Sequence, residues 1–214
     1  MRHQERTMCK YTITAIIKNI AGVSIKAEPM GDEGEILEFL ITEESYKGFS
    51  FDEGDTITEE DIVLIAEEAD FCRAAARALK ILSYSSHSKS ALVRKLCQYG
   101  FSKETALRAA EDSEKKGILD ESRQAEHLVD YYLRHKYWGK KRIAAELMSR
   151  GYCKTAVTGA ISQVDESRFE ENLMRLVSRK PVPEDRHERD KYISALSRMG
   201  YSLPEILRAI KEAE

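Results

Sequence analysis

Apolar positions along the chain change period once. From Tyr11 to Ile17 the run YTITAII is β-branched and aromatic, Val23 to Ala27 alternates, and Ile36 to Ile41 forms a third apolar stretch. Turn signals at Ala21-Gly22 and Gly31-Asp32-Glu33-Gly34 separate these stretches, which predicts a small antiparallel meander. After Gly54-Asp55 comes Thr58-Glu59-Glu60-Asp61, a capping residue followed by acids, and a long helix is expected to start there. Beyond it nearly everything has helical spacing. Ala74, Ala75, Ala78, Leu79 and Leu82 share one face, as do Ala125, Leu128, Val129 and Tyr132, and then Phe169, Leu173, Leu176 and Val177.

Each stripe precedes one copy of a single motif, written KSALVRKLCQYGF at 89–101, KKRIAAELMSRGY at 140–152 and RDKYISALSRMGY at 189–201. Aligned on Gly100, Gly151 and Gly200, the copies keep leucine four positions earlier (Leu96, Leu147, Leu196) and an aromatic directly after (Phe101, Tyr152, Tyr201). The match runs on to Ala109, Ala160 and Ala209. Glycine suits the position after a helix, where the backbone turns left-handed, and the aromatic can cover the seam as the next helix begins. Ser102 caps that next helix in the first copy, and Ser202 with Glu205 forms a capping box in the third. Recurrence of a helix, a Gly-aromatic turn and a helix marks a tandem repeat. The expected fold is therefore mainly α: three tandem three-helix repeats in an elongated, curved array, with a small N-terminal β-containing extension. The boundaries read as an acidic β-meander extension over 1–57 and repeats over 58–121, 122–165 and 166–214. The break at Ser178 to Pro183, with two prolines, is the loosest expected joint.

Charge changes the picture more than composition does. The chain is 42% hydrophobic and 33% charged, enough for real cores, and its net charge is only -3. Residues 1–70 hold 17 acids against 6 bases, a net of -11, whereas residues 71–214 hold 28 bases against 20 acids, a net of +8. An acidic head on a basic body suggests an anionic partner for the body, with solubility as the plainer explanation. No apolar run approaches the length of a membrane span, and Met1 to Lys10 lacks a signal-peptide core, so a cytoplasmic location and no membrane partner are expected. Cys9, Cys72, Cys97 and Cys153 are scattered, and His3, His87, His127, His135 and His187 form no ligand pattern. With no phosphate loop, GxSxG or metal cluster either, no catalytic residue, metal or cofactor is expected, and the chain reads as a non-enzyme.

The candidate binding residues are basic. Eleven positions before each repeat glycine stands a cation, Lys89, Lys140 or Arg189, and near them lie Arg94, Lys95, Lys141, Arg142, Arg150, Lys191 and Arg198. The densest basic and aromatic stretch runs from Arg134 through Lys136 and Trp138 to Arg142. Recurrence in register favours a binding face over a solvated helix face, though a solvated face accounts for the same charges. Trp138 can stack on a base or seal the core between repeats.

These residues resemble the RecX family. The likeness rests on the tandem repeats, on Gly117-Ile118-Leu119-Asp120-Glu121 leading to Ala125, and on Gly139, Arg142, Ile143, Glu146, Leu147 and Gly151 in order. It covers about residues 60–214, and the strand-rich head is similar to the extension of Gram-positive members. Where members often have Arg-Ser-x-x-Glu-Leu entering the first motif, this chain has Ser86-His87-Ser88-Lys89-Ser90-Ala91-Leu92. The resemblance implies a non-enzymatic regulator of the bacterial recombinase RecA, and the chain is expected to be a monomer. Such a protein lies in the groove of the RecA–DNA filament, inhibits it, and takes single- or double-stranded DNA as a further partner. It would act in DNA repair, homologous recombination and the SOS response. Two rivals remain at this level: a helical nucleic-acid-binding protein without RecA specificity, and a scaffold that binds only protein.

Overall fold

A computed structural model describes residues 10–20, 22–31 and 34–213. His3 and Cys9, and the turn residues Ala21, Asp32 and Glu33, lie outside the described residues.

Strands β1 (Tyr11–Asn19), β2 (Gly22–Pro29) and β3 (Leu37–Ile41) run antiparallel, as the alternation predicts. A two-residue β4 (Thr56–Ile57) joins the other edge of β1, giving the order β3-β2-β1-β4. A register shift between Ile13 and Ala15 inserts one extra residue. This brings Ile13 and Ile16, three apart, onto the same face, where they pack with Val23, Ile25, Ala27 and Ile41. Helix α1 (Glu43–Phe49) follows, capped by Thr42, whose Oγ1 accepts from the Ser45 N–H at 3.1 Å. Its seven residues bury none fully, so hydrophobic periodicity does not reveal it.

Helix α2 (Glu59–Tyr84) begins where the sequence says: the Thr58 N–H donates to Asp61 Oδ2 at 2.9 Å and the Asp61 N–H to Thr58 Oγ1 at 3.3 Å. It packs differently along its length. Ile65 and Ala69 close the sheet's core, and farther on Ala74, Ala78 and Ile81 are buried. Leu79, expected on that buried face, is exposed, because the turn after Ala78 brings Ile81 inward instead. The extension's core therefore continues past residue 57 into α2.

The remaining helices are α3 (Lys89–Gln98), α4 (Lys103–Lys115), α5 (Glu121–Lys136), α6 (Lys140–Ser149), α7 (Lys154–Ser162), α8 (Glu166–Arg179), α9 (Arg186–Arg198) and α10 (Leu203–Ala213). From α2 onward they form three successive sets of three, so the chain is mainly helical with a small N-terminal sheet. Local caps fix the starts of α4, α5 and α8: Ser102 accepts from Thr105 N at 3.0 Å, Asp120 from Arg123 N at 2.9 Å and Asp165 from Ser167 N at 3.0 Å. At Lys180 the backbone turns extended, ending α8 ahead of Pro181 and Pro183.

By packing, the chain forms two compact units, one reaching Ser83 and adding Val93–Lys115, the other made of Tyr84–Leu92 and the chain from Lys116 on. In the first, Arg108 pairs with Glu68 at 2.7 Å and lies over the Phe71 ring. In the second, the core residues form separate clusters. Val129, Tyr132, Ile143, Leu147, Val157 and Phe169 form one, and Leu173, Val177, Leu196, Tyr201, Ile206 and Ile210 form another. Because Phe169 joins the former and Leu173 the latter, α8 ties the second repeat to the third. No described helix is long and apolar enough to cross a membrane.

Candidate functional site

The second unit holds its repeats together through helix N-termini. An α-helix leaves its first N–H groups without intrahelical partners. Gly139, which precedes α6, offers no side chain to satisfy them, and the next repeat supplies the acceptors: the Gly139 N–H donates to Met199 O at 2.8 Å and the Lys141 N–H to Gly200 O at 3.3 Å. A Cβ on Gly139 would lie 2.6 Å from the Gly200 carbonyl, and one on Gly200 2.6 Å from Arg142 Cβ, so two glycines let two backbones touch. The Tyr201 hydroxyl completes the joint by donating to Tyr137 O at 2.9 Å.

One repeat earlier the same joint is built from hydroxyls. Ser88 occupies the position of Gly139, twelve before the repeat glycine. Its Oγ donates to Arg150 O at 2.8 Å and accepts from the Ala91 N–H at 3.3 Å, while Ser90 Oγ donates to Gly151 O at 3.0 Å. Glu121 secures the Lys89 N–H at 2.6 Å. In the third repeat α9 caps itself: Asp185 Oδ1 accepts from the Glu188 N–H at 3.0 Å.

Against this frame the predicted cations separate. Lys89, Lys140 and Arg189, which recur in register, are all half-buried. Lys140 pairs with Glu166 and lies 5.2 Å from the Phe169 ring centroid. Register thus marks a position with a packing job as well as a charge. Among the exposed cations, Arg134 pairs with Asp130 at 2.7 Å, Arg150 with Glu146 at 2.9 Å and Lys191 with Glu188 at 2.9 Å. Lys136, Lys141, Arg142 and Arg198 in the second unit, and Arg94 in the first, are exposed without an ion-pair partner among the described residues. Lys95 is exposed on α3 as well. Trp138 is half-buried, stacked on Tyr132 at 4.7 Å, with the Arg142 guanidinium 4.9 Å from its ring centroid.

The sequence reading missed an arginine edge. On α8, Arg168, Arg175 and Arg179 stand seven and four apart, on one face. Arg168 Nη2 donates to Asp130 Oδ1 at 3.0 Å while Arg134 Nε holds Oδ2, so one carboxylate fixes two guanidiniums. Partial burial pushes the Asp130 carboxyl up, but Arg168 and Arg134 more than offset this and hold it below the usual carboxylate range. Asn172, buried between these arginines, donates from Nδ2 to Leu133 O at 2.9 Å near the end of α5. Arg179 lies over the Tyr137 ring at 5.0 Å. The spacing of the three α8 arginines is visible in the sequence, but α8 lies outside the repeated motif, whose basic positions fall on α3, α6 and α9.

Among the described residues no cluster of His, Cys, Asp and Glu is placed to hold a metal, and Cys97 and Cys153 are free thiols. Interlocked three-helix repeats carrying a charged surface define a helical-repeat protein. The chain is 33% identical over 138 residues to regulatory protein RecX of Stenotrophomonas maltophilia (strain K279a), covering 63% of this chain and 83% of that one. It is 24% identical over 149 residues to regulatory protein RecX of Clostridioides difficile (strain 630), covering 70% of each. The chain belongs to the RecX family of regulatory proteins. No family model matches it. A crystal structure of regulatory protein RecX superposes with a TM-score of 0.74 at 21% identity, covering 94% of this chain and 99% of that one. RecX from Lactobacillus salivarius gives 0.60 at 19% identity, covering 67% and 96%. Helices α2 to α10 end the chain from residue 59, so a match over 94% takes in the sheet as well.

Proposed function

We propose that this protein regulates the recombinase RecA by binding RecA and its DNA filament in the filament groove, and that it inhibits ATP hydrolysis and strand exchange without being an enzyme. The joint between Gly139 and Gly200 carries this reading. Backbone contact between successive repeats fixes their charged side chains at set intervals, and such spacing matches a helical partner whose subunits also recur. Membership of a family of regulatory proteins supports it. The repeats bridge neighbouring RecA subunits, while the exposed cations Lys136, Lys141, Arg142 and Arg198 add contacts to partner carboxylates or DNA phosphates. The protein works in the cytoplasm as a monomer, without a cofactor, in DNA repair by homologous recombination and in the SOS response.

The test is single-strand-dependent ATP hydrolysis by RecA, with this protein titrated well below the RecA concentration. Suppression at substoichiometric ratios is expected. If hydrolysis changes only once enough protein is present to coat the DNA, competition for phosphates explains the effect, and a general nucleic-acid-binding function replaces this one.

A further inference from the structure

The recess between α5 and α8 was not among the positions singled out by the repeat register, and its chemistry is specific. It is lined by Arg134, Tyr137, Arg168, Glu171, Asn172 and Arg175, with Leu133 beside them, and its surface is mostly polar. Three guanidiniums thus converge on one hollow. Asp130 takes one N–H from Arg134 and one from Arg168, which leaves the remaining donors of both forks available and limits their motion. Arg175 is exposed and has no ion-pair partner among the described residues. The carbonyls at the end of α5 do not claim these donors, since Leu133 O accepts from Asn172 and Tyr137 O from Tyr201. Glu171 is the one carboxylate on the lining, and it stands against three cations.

We infer that this recess seats a phosphodiester of a nucleic-acid backbone, held by Arg134, Arg168 and Arg175. A planar guanidinium presents paired donors that match phosphate oxygens, and forks already oriented by Asp130 lose less freedom on binding than free side chains would. An acidic protein segment is the competing anion. Apolar surface is the minor part of this hollow, however, and three guanidiniums facing one carboxylate suit a phosphodiester, which needs charge and paired donors, better than a peptide that must also bury an apolar anchor. The inference deepens the proposed function by placing a nucleic-acid contact on this chain, but its test needs no recombinase.

Binding of a fluorescent single-stranded oligonucleotide of about 30 nucleotides is measured by anisotropy between about 50 and 200 mM salt. The variants are Arg175→Ala, Arg175→Lys and, as a control on α10, Lys211→Ala; circular dichroism checks that each folds. Arg175→Ala, which breaks no ion pair, is expected to weaken binding about 3-fold or more near 100 mM salt and to lower the slope of log K against log salt by about 1. Arg175→Lys should restore the slope but not the full affinity, and Lys211→Ala should change neither. Equal affinity and slope for Arg175→Ala and the parent overturn the inference, as does a variant that keeps oligonucleotide binding but loses binding of a fluorescent polyglutamate peptide measured alongside it. RecA inhibition, measured separately on the same variants, distinguishes the two readings. A protein that fails to inhibit RecA yet needs Arg175 for the oligonucleotide removes the proposed function and keeps the recess.

Discussion

Gly139 and Gly200 meet backbone to backbone, with the Gly139 N–H bonded to the residue before Gly200 and no room for a Cβ on either. Gly200 also has φ +99, so a side chain there meets both a crowded backbone and a strained conformation. Gly100 stands in the same register with φ +93 but nothing within 4 Å of a built Cβ. The pair separates backbone strain from packing. Gly100→Ala should cost about 1 kcal/mol, the left-handed penalty alone. Gly200→Ala should cost about 3 kcal/mol or more, and Gly139→Ala, at an ordinary φ, about 2 kcal/mol. Urea unfolding of the three variants checks the order. Equal costs for Gly100→Ala and Gly200→Ala would show that the joint contributes nothing.

Ser88 performs with a hydroxyl what Gly139 performs with a bare backbone, and it does two things at once. It is 2% exposed, donates to Arg150 O and caps the Ala91 N–H. Ser88→Ala leaves a carbonyl without its donor and removes a cap, for a loss of about 2 kcal/mol. Ser88→Thr keeps the hydroxyl and should recover part of that loss, provided the added methyl is accommodated. Thermal unfolding of both variants gives the comparison.

Two buried tyrosines should respond oppositely to the same change. Tyr201 donates to Tyr137 O, whereas the Tyr192 hydroxyl is buried with no hydrogen-bond partner among the described residues and sits where the other repeats have Leu92 and Ile143. Burial pushes the hydroxyls of both above the usual tyrosine value. Tyr201→Phe should destabilise by about 1 to 2 kcal/mol, while Tyr192→Phe should be neutral or stabilising by about 1 kcal/mol. A loss of stability in Tyr192→Phe would reveal a partner for that hydroxyl, such as a bound water.

How far the sequence could be read depended on whether the deciding contact was local. The Thr58, Ser102 and Ser202/Glu205 caps act within three residues, and each is where the pattern put it. The repeat glycines were assigned correctly to turns, but for only half the reason: at Gly200 the neighbouring repeat demands glycine as strongly as the backbone does. Gly139 has an ordinary φ and reveals its role only in the tertiary joint. Leu79 was expected on the buried face, which Ile81 occupies instead, because both are large apolar residues and only packing chooses between adjacent faces. The short α1, with no buried residue, left no period to find. The basic positions were legible as charges, but Asp130, which fixes two of the arginines, lies 38 residues from Arg168 in the chain.

Glu205 gives the second unit a pH dependence of definite sign. Partial burial pushes its carboxyl up, but the Ser202 hydroxyl and N–H, at 2.7 and 2.6 Å, together with Lys140 and Lys141, more than offset this and leave it below the ordinary glutamate value. A carboxyl that is more acidic in the folded state adds stability above its unfolded pKa, and that contribution disappears as pH falls through the folded value. The carboxylate caps α10 close to the Gly200-Tyr201 joint, so its protonation loosens both. Melting temperature should therefore drop on acidification below about pH 4.5, where glutamates begin to protonate. Glu205→Gln should be less stable than the parent at pH 7, by about 1 kcal/mol, and the gap should close toward pH 3. A gap of constant size across that range would mean that the glutamine loses packing and not charge, and would remove the carboxylate from the account of how the last repeat is held.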